Sequence, residues 1–260
     1  AFYFVYLSFK KDNKYIFLAT FFSGFIYNFE LAISVPLSVA LLIYYLFILK
    51  LKKIEQYIFL FLGYLLAFSP MFLFELRHNF LGSGGIWEYI FNSKQKTTPT
   101  SLNLIDHFNS FSFHFSDTFM RQSLIPTMLL FLIIISSTFY LLFKEKNRQT
   151  KSFIFFLLLL IPVNFVIFSF LRNSVYVYYL IDLTLVYIFL FSYSFSSFCK
   201  NKNYFLSGIF ALFILFLLTF SIPNFIKTFK FDYSDYGGDA KIKGKIDAID
   251  YIYKDAKGNK

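Results

Sequence analysis

The chain has 260 residues, of which 57% are hydrophobic, 24% aromatic and only 15% charged. A soluble domain carries roughly 45–50% apolar and about 25% charged residues, so this composition excludes a water-soluble globule and calls for lipid as the solvent. The single cysteine, Cys199, excludes a disulfide framework and a multi-cysteine metal centre.

The chain opens at Ala1 inside an apolar run, AFYFVYLSF, with neither a basic n-region nor a small-residue cleavage site of a signal peptide. The run reads as the tail of a helix and KDAKGNK as charged sequence without a terminus, so truncation is expected at both ends. The next apolar stretch, Tyr15–Leu49, would form a rod of about 50 Å as one helix, too long for a single crossing of a hydrocarbon core of about 30 Å. Glu30 lies near its middle and Pro36 comes six residues later, which predicts a hairpin of two short legs, 15–28 and 31–49, turning at Asn28–Glu30. Charge agrees: Lys10, Lys11 and Lys14 precede the stretch and Lys50, Lys52 and Lys53 come after it, and a hairpin puts both clusters on one face.

Five longer runs come next, predicting spans over 57–74, 125–143, 153–171, 175–193 and 204–222. The fold class expected is therefore all-α: a polytopic transmembrane helical bundle over 1–222, a long external loop at 75–124, and a C-terminal segment, 223–260, that starts an external soluble domain. The orientation comes from the positive-inside rule. With the Lys10–Lys14 side cytoplasmic, the inside loops 10–14, 50–56, 144–152 and 199–203 hold twelve Lys or Arg, whereas the outside connections 28–30, 75–124 and 172–174 hold zero, four and one. The formal net charge of +10 is then mostly a topology signal, and nucleic acid is not an expected partner. In the long loop, Leu102, Ile105, Phe108, Phe111, Phe115 and Phe119 form a helical stripe suited to the membrane surface, while Phe111, Phe113 and Phe115 alternate as in a strand. The helix is favoured. In the tail, Ile242, Ile246, Ile249 and Tyr253 have helical spacing behind a possible cap at Asp239.

Ionisable residues near lipid are costly and attract a functional reading. Glu30 reads either as a carboxylate facing a cavity or as a solvated turn residue. Glu75, Arg77 and His78 leave the Pro70-containing helix in SPMFLFELRHNF. An Arg with a His at a helix end can grip a phosphate through the planar guanidinium fork, and the bland alternative is a snorkelling boundary cluster. Arg172 stands in a tight turn beside Tyr176, Tyr178 and Tyr179, which an aromatic belt explains. Asp182, about two turns further on, either pairs with Arg172 or faces a polar cavity. Asp106, His107, His114 and Asp117 lack a metal-binding spacing, and hydrogen bonding at a wet interface accounts for them. LGSGG lacks the Lys-Ser/Thr of a phosphate loop and reads as a flexible turn. No metal and no cofactor is expected, and no Ser/His/Asp arrangement is recognisable.

Several stretches resemble bacterial GT-C-type membrane glycosyltransferases, the protein mannosyltransferase-like and aminoarabinose transferase-like enzymes of the glycosyltransferase family 39 kind. FLATFFSGFIYNFELAISVPLSVALLIYYL is similar to their small-residue helix, short external turn and Pro-containing helix. SPMFLFELRHNFLGSGG resembles their exit into a long periplasmic loop, LRNSVYVYYLIDLTLVYIFL their Arg-then-Tyr-Tyr-Leu entry into a late helix, and KIDAIDYIYKDAKGNK the start of their C-terminal domain. The resemblance implies an enzyme of the bacterial inner (plasma) membrane and cell envelope. It would move a sugar from a polyprenyl-phosphate or -diphosphate carrier to an acceptor glycan, lipid or protein on the external face. The family's acidic catalytic residue lies in a first external loop, upstream of this chain, so no catalytic residue is assigned. Glu30, Glu75, Arg77, His78, Arg172 and Asp182 are the implied substrate-binding candidates, with Arg77, His78 and Arg172 stabilising charge on the leaving phosphate. The late helix departs from the family in carrying Ile181-Asp182-Leu183 where a Pro is common.

Two other readings compete. A lipid or polysaccharide transporter or flippase would favour internal repeats and midplane charge, and neither is evident. A surface-polysaccharide polymerase or ligase shares the long external loop.

Overall fold

A computed structural model describes residues 1–9, 12–87, 104–119, 124–169, 175 and 177–231. Every element among them is helical: α1 (Phe2–Ser8), α2 (Asn13–Phe25), α3 (Leu31–Ile43), α4 (Ile54–Arg77), α5 (Leu81–Trp87), α6 (Leu104–Phe119), α7 (Leu124–Lys144), α8 (Arg148–Ser169), α9 (Ile181–Lys200) and α10 (Tyr204–Phe231). Among the described residues five stretches are long and apolar enough to cross a membrane: Leu31–Leu49, Ile54–Arg77, Thr127–Lys144, Arg148–Ser169 and Ile181–Lys200. The chain is an all-α, multi-pass bundle.

The first leg is short for physical reasons. Asp12 caps α2 by accepting from the Lys14 backbone N–H at 3.2 Å. After 13 residues the helix tightens into a 3₁₀ turn at Ile26–Asn28. Glu30 then turns extended and caps α3, its carboxylate accepting from the Ala32 N–H at 3.4 Å. α3 continues through a wide π-helical turn at Tyr44–Leu49 and stops at Lys50 in the left-handed region. α2 alone is about 20 Å long, less than a full crossing. α10 runs for 28 residues, Tyr204–Phe231.

α2 and α4 run parallel, with α3 returning between their ends. Asn13 Nδ2 donates to Glu55 Oε2 at 3.2 Å at one end, and Asn28 Nδ2 donates to the Ala67 carbonyl at 3.0 Å towards the other. Small residues make the seam between them: Ala19, Thr20, Ser23 and Gly24 are on α2, and Gly63 and Ala67 on α4. Apolar helices gain no hydrophobic drive to associate within lipid, so close backbone approach over small residues supplies the attraction. The rest of α4 is exposed, Phe61, Leu65 and Leu73 among it, as lipid contact permits.

Aromatic packing joins this group to α8 and α9. Phe9 meets Tyr44 at 4.8 Å and Phe156 at 6.0 Å between ring centroids, and Gln149 Nε2 donates to the Tyr6 carbonyl at 2.9 Å. Tyr193 donates to Glu145 Oε2 at 3.0 Å, which ties α9 to the end of α7. Segments 12–14, 50–55 and 144–151 therefore lie at one end of the unit Ala1–Asn201. From Lys202 the chain forms a second unit, of which α10 is the described element.

Candidate functional site

Glu30, Glu75 and Asp182 all stand where a helix begins or ends, away from the lysine-bearing segments. They do not form one cluster in the structure, and each has its own partner.

Asp182, in the first turn of α9, is buried. Its Oδ2 accepts from Asn164 Nδ2 at 3.2 Å, and the same amide nitrogen donates to the Leu160 carbonyl at 3.0 Å. Asn164 is fully buried in the last third of α8. The pair brings a carboxylate and an amide together between two spans, where a lone charge would be costly. Arg172 lies outside the described residues, and the side-chain partner of Asp182 among those described is Asn164. Asn164 is not among the residues that sequence singles out, although an amide inside LLLLIPVNFVIF is a signal of its own.

A second polar contact lies on the α6 side of α9. His114 Nε2 and the Thr184 hydroxyl are 3.2 Å apart, and Thr118 Oγ1 lies 3.4 Å from Thr184 Oγ1. Burial holds the His114 imidazole down to about 4, against the opposing pull of Asp117, so the ring is neutral near pH 7. Phe115 meets Tyr187 at 4.8 Å and Phe119 meets Phe191 at 5.8 Å. These contacts succeed one another along α9, so α6 runs beside that span rather than lying across the bundle end. The predicted stripe is corrected accordingly. Phe111 and Phe115 are buried, while Ile105 and Phe108 are exposed and His107 and His114 take their place inside. The alternating Phe111, Phe113 and Phe115 are helical, not a strand.

Glu75 is buried at the end of α4, and its Oε2 accepts from the Ser83 N–H at 3.0 Å. A Cβ at Gly82 would fall 2.2 Å from Oε1, so the carboxylate sits directly on the glycine backbone. Asn79 and Phe80, both at positive φ, make the reversal. LGSGG is thus the start of a short helix fastened to Glu75, not a flexible turn. Arg77 and His78 do not converge with it. Both are exposed, and His78 is held by its own helix end, with Nδ1 2.8 Å from the Phe74 carbonyl and its ring stacked on Phe74 at 4.1 Å. Glu30, half-buried, caps α3. Among the described residues no group of three or more His, Cys, Asp or Glu comes together in a way that could hold a metal ion.

These features define a multi-pass α-helical membrane protein with paired polar groups inside its helix contacts. No family model, curated protein or solved structure matches the chain.

Proposed function

We propose that this protein acts as a membrane glycosyltransferase that moves a sugar from a polyprenyl-phosphate or -diphosphate carrier to an acceptor glycan, lipid or protein. The reaction would take place on the external face of a bacterial inner membrane. The reading is supported by the ordered resemblance of four stretches to GT-C-type enzymes. The observation that carries it further is the siting of Glu30, Glu75 and Asp182 at helix ends remote from the lysine-bearing segments, the side that the positive-inside rule makes external. In this reading Arg77, exposed at the end of α4, and Arg172 meet the carrier phosphate and stabilise its charge as it leaves. His78 assists them from the same helix end. Glu30 orients a sugar hydroxyl, and Glu75 and Asp182 act through the helix ends they hold.

The test is transfer of a labelled sugar from a polyprenyl-phosphate donor in membranes carrying the full-length protein, with Arg77→Ala and Arg172→Ala beside the parent. Label should reach an acceptor in the parent and be lost in both variants. Transfer that persists unchanged in both would remove these arginines from the mechanism. Absence of transfer, with lipid crossing the bilayer instead, would establish the transporter reading, for which the buried Asp182–Asn164 pair inside the spans is the favouring observation.

A further inference from the structure

An apolar cleft of about 420 Å³ lies between α6 and the spans α7, α8 and α9. Phe111 and Phe115 of α6, Phe131 of α7, Pro162 and Phe165 of α8 and Tyr187 of α9 form its walls. The rings interlock: Phe115 meets Phe131 at 5.0 Å and Tyr187 at 4.8 Å, and Phe111 meets Phe165 at 5.4 Å. Among the described residues no charged side chain lines it. Its remaining lining includes Phe108, Met128 and Leu132, which are 54%, 38% and 62% exposed.

Two physical arguments identify what fills it. An apolar cavity of this size does not hold water stably, because the water would find too few polar partners. Met128 and Leu132 belong to a membrane-crossing helix, so the cleft borders hydrocarbon. A hydrocarbon chain is then the occupant, and 420 Å³ is within the range of small-molecule sites. Selection of a rare lipid requires built contacts to its head group, and the described lining, which carries no charge, provides none. The abundant lipid therefore enters.

We propose that the cleft holds an acyl chain of a bilayer phospholipid, which enters laterally past Phe108, Met128 and Leu132 and fastens α6 to the bundle. This site is independent of the glycosyltransferase reading, since the inference uses only the shape, lining and position of the cleft. The lipid would add to the adhesion of α6, which the His114–Thr184–Thr118 group and the Phe115–Tyr187 contact already join to α9.

The test is photo-crosslinking of the full chain in phospholipid nanodiscs with a phosphatidylcholine carrying a diazirine in its acyl tail. Phe111 and Phe115 are buried at 8% and 4% exposure, so a lipid tail reaches them only by entering the cleft. Label is expected on these two residues as well as on the freely exposed Phe143. Filling the cleft with Ser112→Trp should abolish label on Phe111 and Phe115 and leave Phe143 labelled. Leu132→Trp, which narrows the mouth from the lipid side without loading the core, should do the same if Ser112→Trp fails to fold. Native mass spectrometry of the delipidated chain should show one retained phospholipid. Label confined to Phe143 in the parent, label on Phe111 that survives both variants, or retention of a polyprenyl lipid instead would each overturn the proposal.

Discussion

Asn164 Nδ2 donates to Asp182 Oδ2 at 3.2 Å across the contact of two spans, with both side chains buried. The hydrogen bond itself is of modest worth, since interhelical pairs in membranes average about 0.6 kcal/mol. Removing only one partner has the larger effect. Asn164→Leu leaves the buried carboxylate of Asp182 without its side-chain donor, at a cost of about 1–3 kcal/mol. Asp182→Asn retains a hydrogen-bonding partner and should cost less. Unfolding in mixed micelles, titrated with a denaturing detergent, should rank Asn164→Leu below Asp182→Asn; the reverse order would show that the pair is held by something other than this hydrogen bond.

The α2–α4 seam gives a prediction with an internal control. A Cβ at Gly63 would lie 2.0 Å from Thr20 Oγ1 and 2.7 Å from the Phe17 carbonyl. The hydroxyl can rotate away, but the carbonyl is backbone, so Gly63→Ala must push the helices apart. Overpacking of this kind costs about 1–3 kcal/mol. Gly208→Ala meets nothing within 4 Å and should be neutral or slightly stabilising in its helix. Equal stability of the two variants in the same unfolding titration would show that the seam is looser than the distances imply.

Glu75 and Gly82 should behave as one unit. Gly82→Ala places a methyl where Glu75 Oε1 now sits, and Glu75→Ala removes the acceptor of the Ser83 N–H. Each change alone should loosen the turn after α4 and raise its cleavage rate in limited proteolysis. The double variant should be less damaged than the sum, with a coupling of about 0.5–3 kcal/mol. Strict additivity would mean that carboxylate and glycine do not share the contact.

How much of the fold and site is legible in the sequence depends on whether the relevant constraint acts along the chain or between helices. The helical class and its separation into apolar segments come from composition and run length, and the break at Asn28–Glu30 comes from the mismatch between the length of Tyr15–Leu49 and the thickness of a bilayer. Partners across helix contacts are different. Asp182 stands out as an acid in a span, yet its pairing with Asn164 depends on how α8 and α9 are rotated, which no spacing reveals. The α6 stripe reads as one face because Ile105, Phe108, Phe111 and Phe115 share a helical period. In a lipid setting apolar residues are acceptable on either side, so periodicity does not say which face packs. There His107 and His114 are the better guides, because polar side chains seek protein partners where lipid offers none. Glu75, Arg77 and His78 are near neighbours in sequence, but the end of α4 sends Glu75 inward and the other two outward.

His114 yields a pH prediction whose sign is fixed by burial. Its folded value is lowered to about 4 from an ordinary value of 6.5, so between those limits the unfolded chain binds more protons than the folded one. Stability therefore rises with pH across this window: the contribution is complete above about 6.5 and is lost as pH falls towards 4. At about 1.4 kcal/mol for each unit, the most it can amount to is about 3 kcal/mol. Ordinary carboxylates titrate near 4 and add their own slope at the acid end, so the comparison belongs between pH 5 and 7. In that range His114→Gln, which keeps a polar partner for Thr184 without a titrating ring, should flatten the pH dependence of unfolding relative to the parent. His107→Gln serves as the control, since that buried ring has no described partner in the α6–α9 contact. A parent and a His114→Gln variant with parallel curves from pH 5 to 7 would show that the ring is reached by solvent protons without cost, and that α6 is not closed against α9.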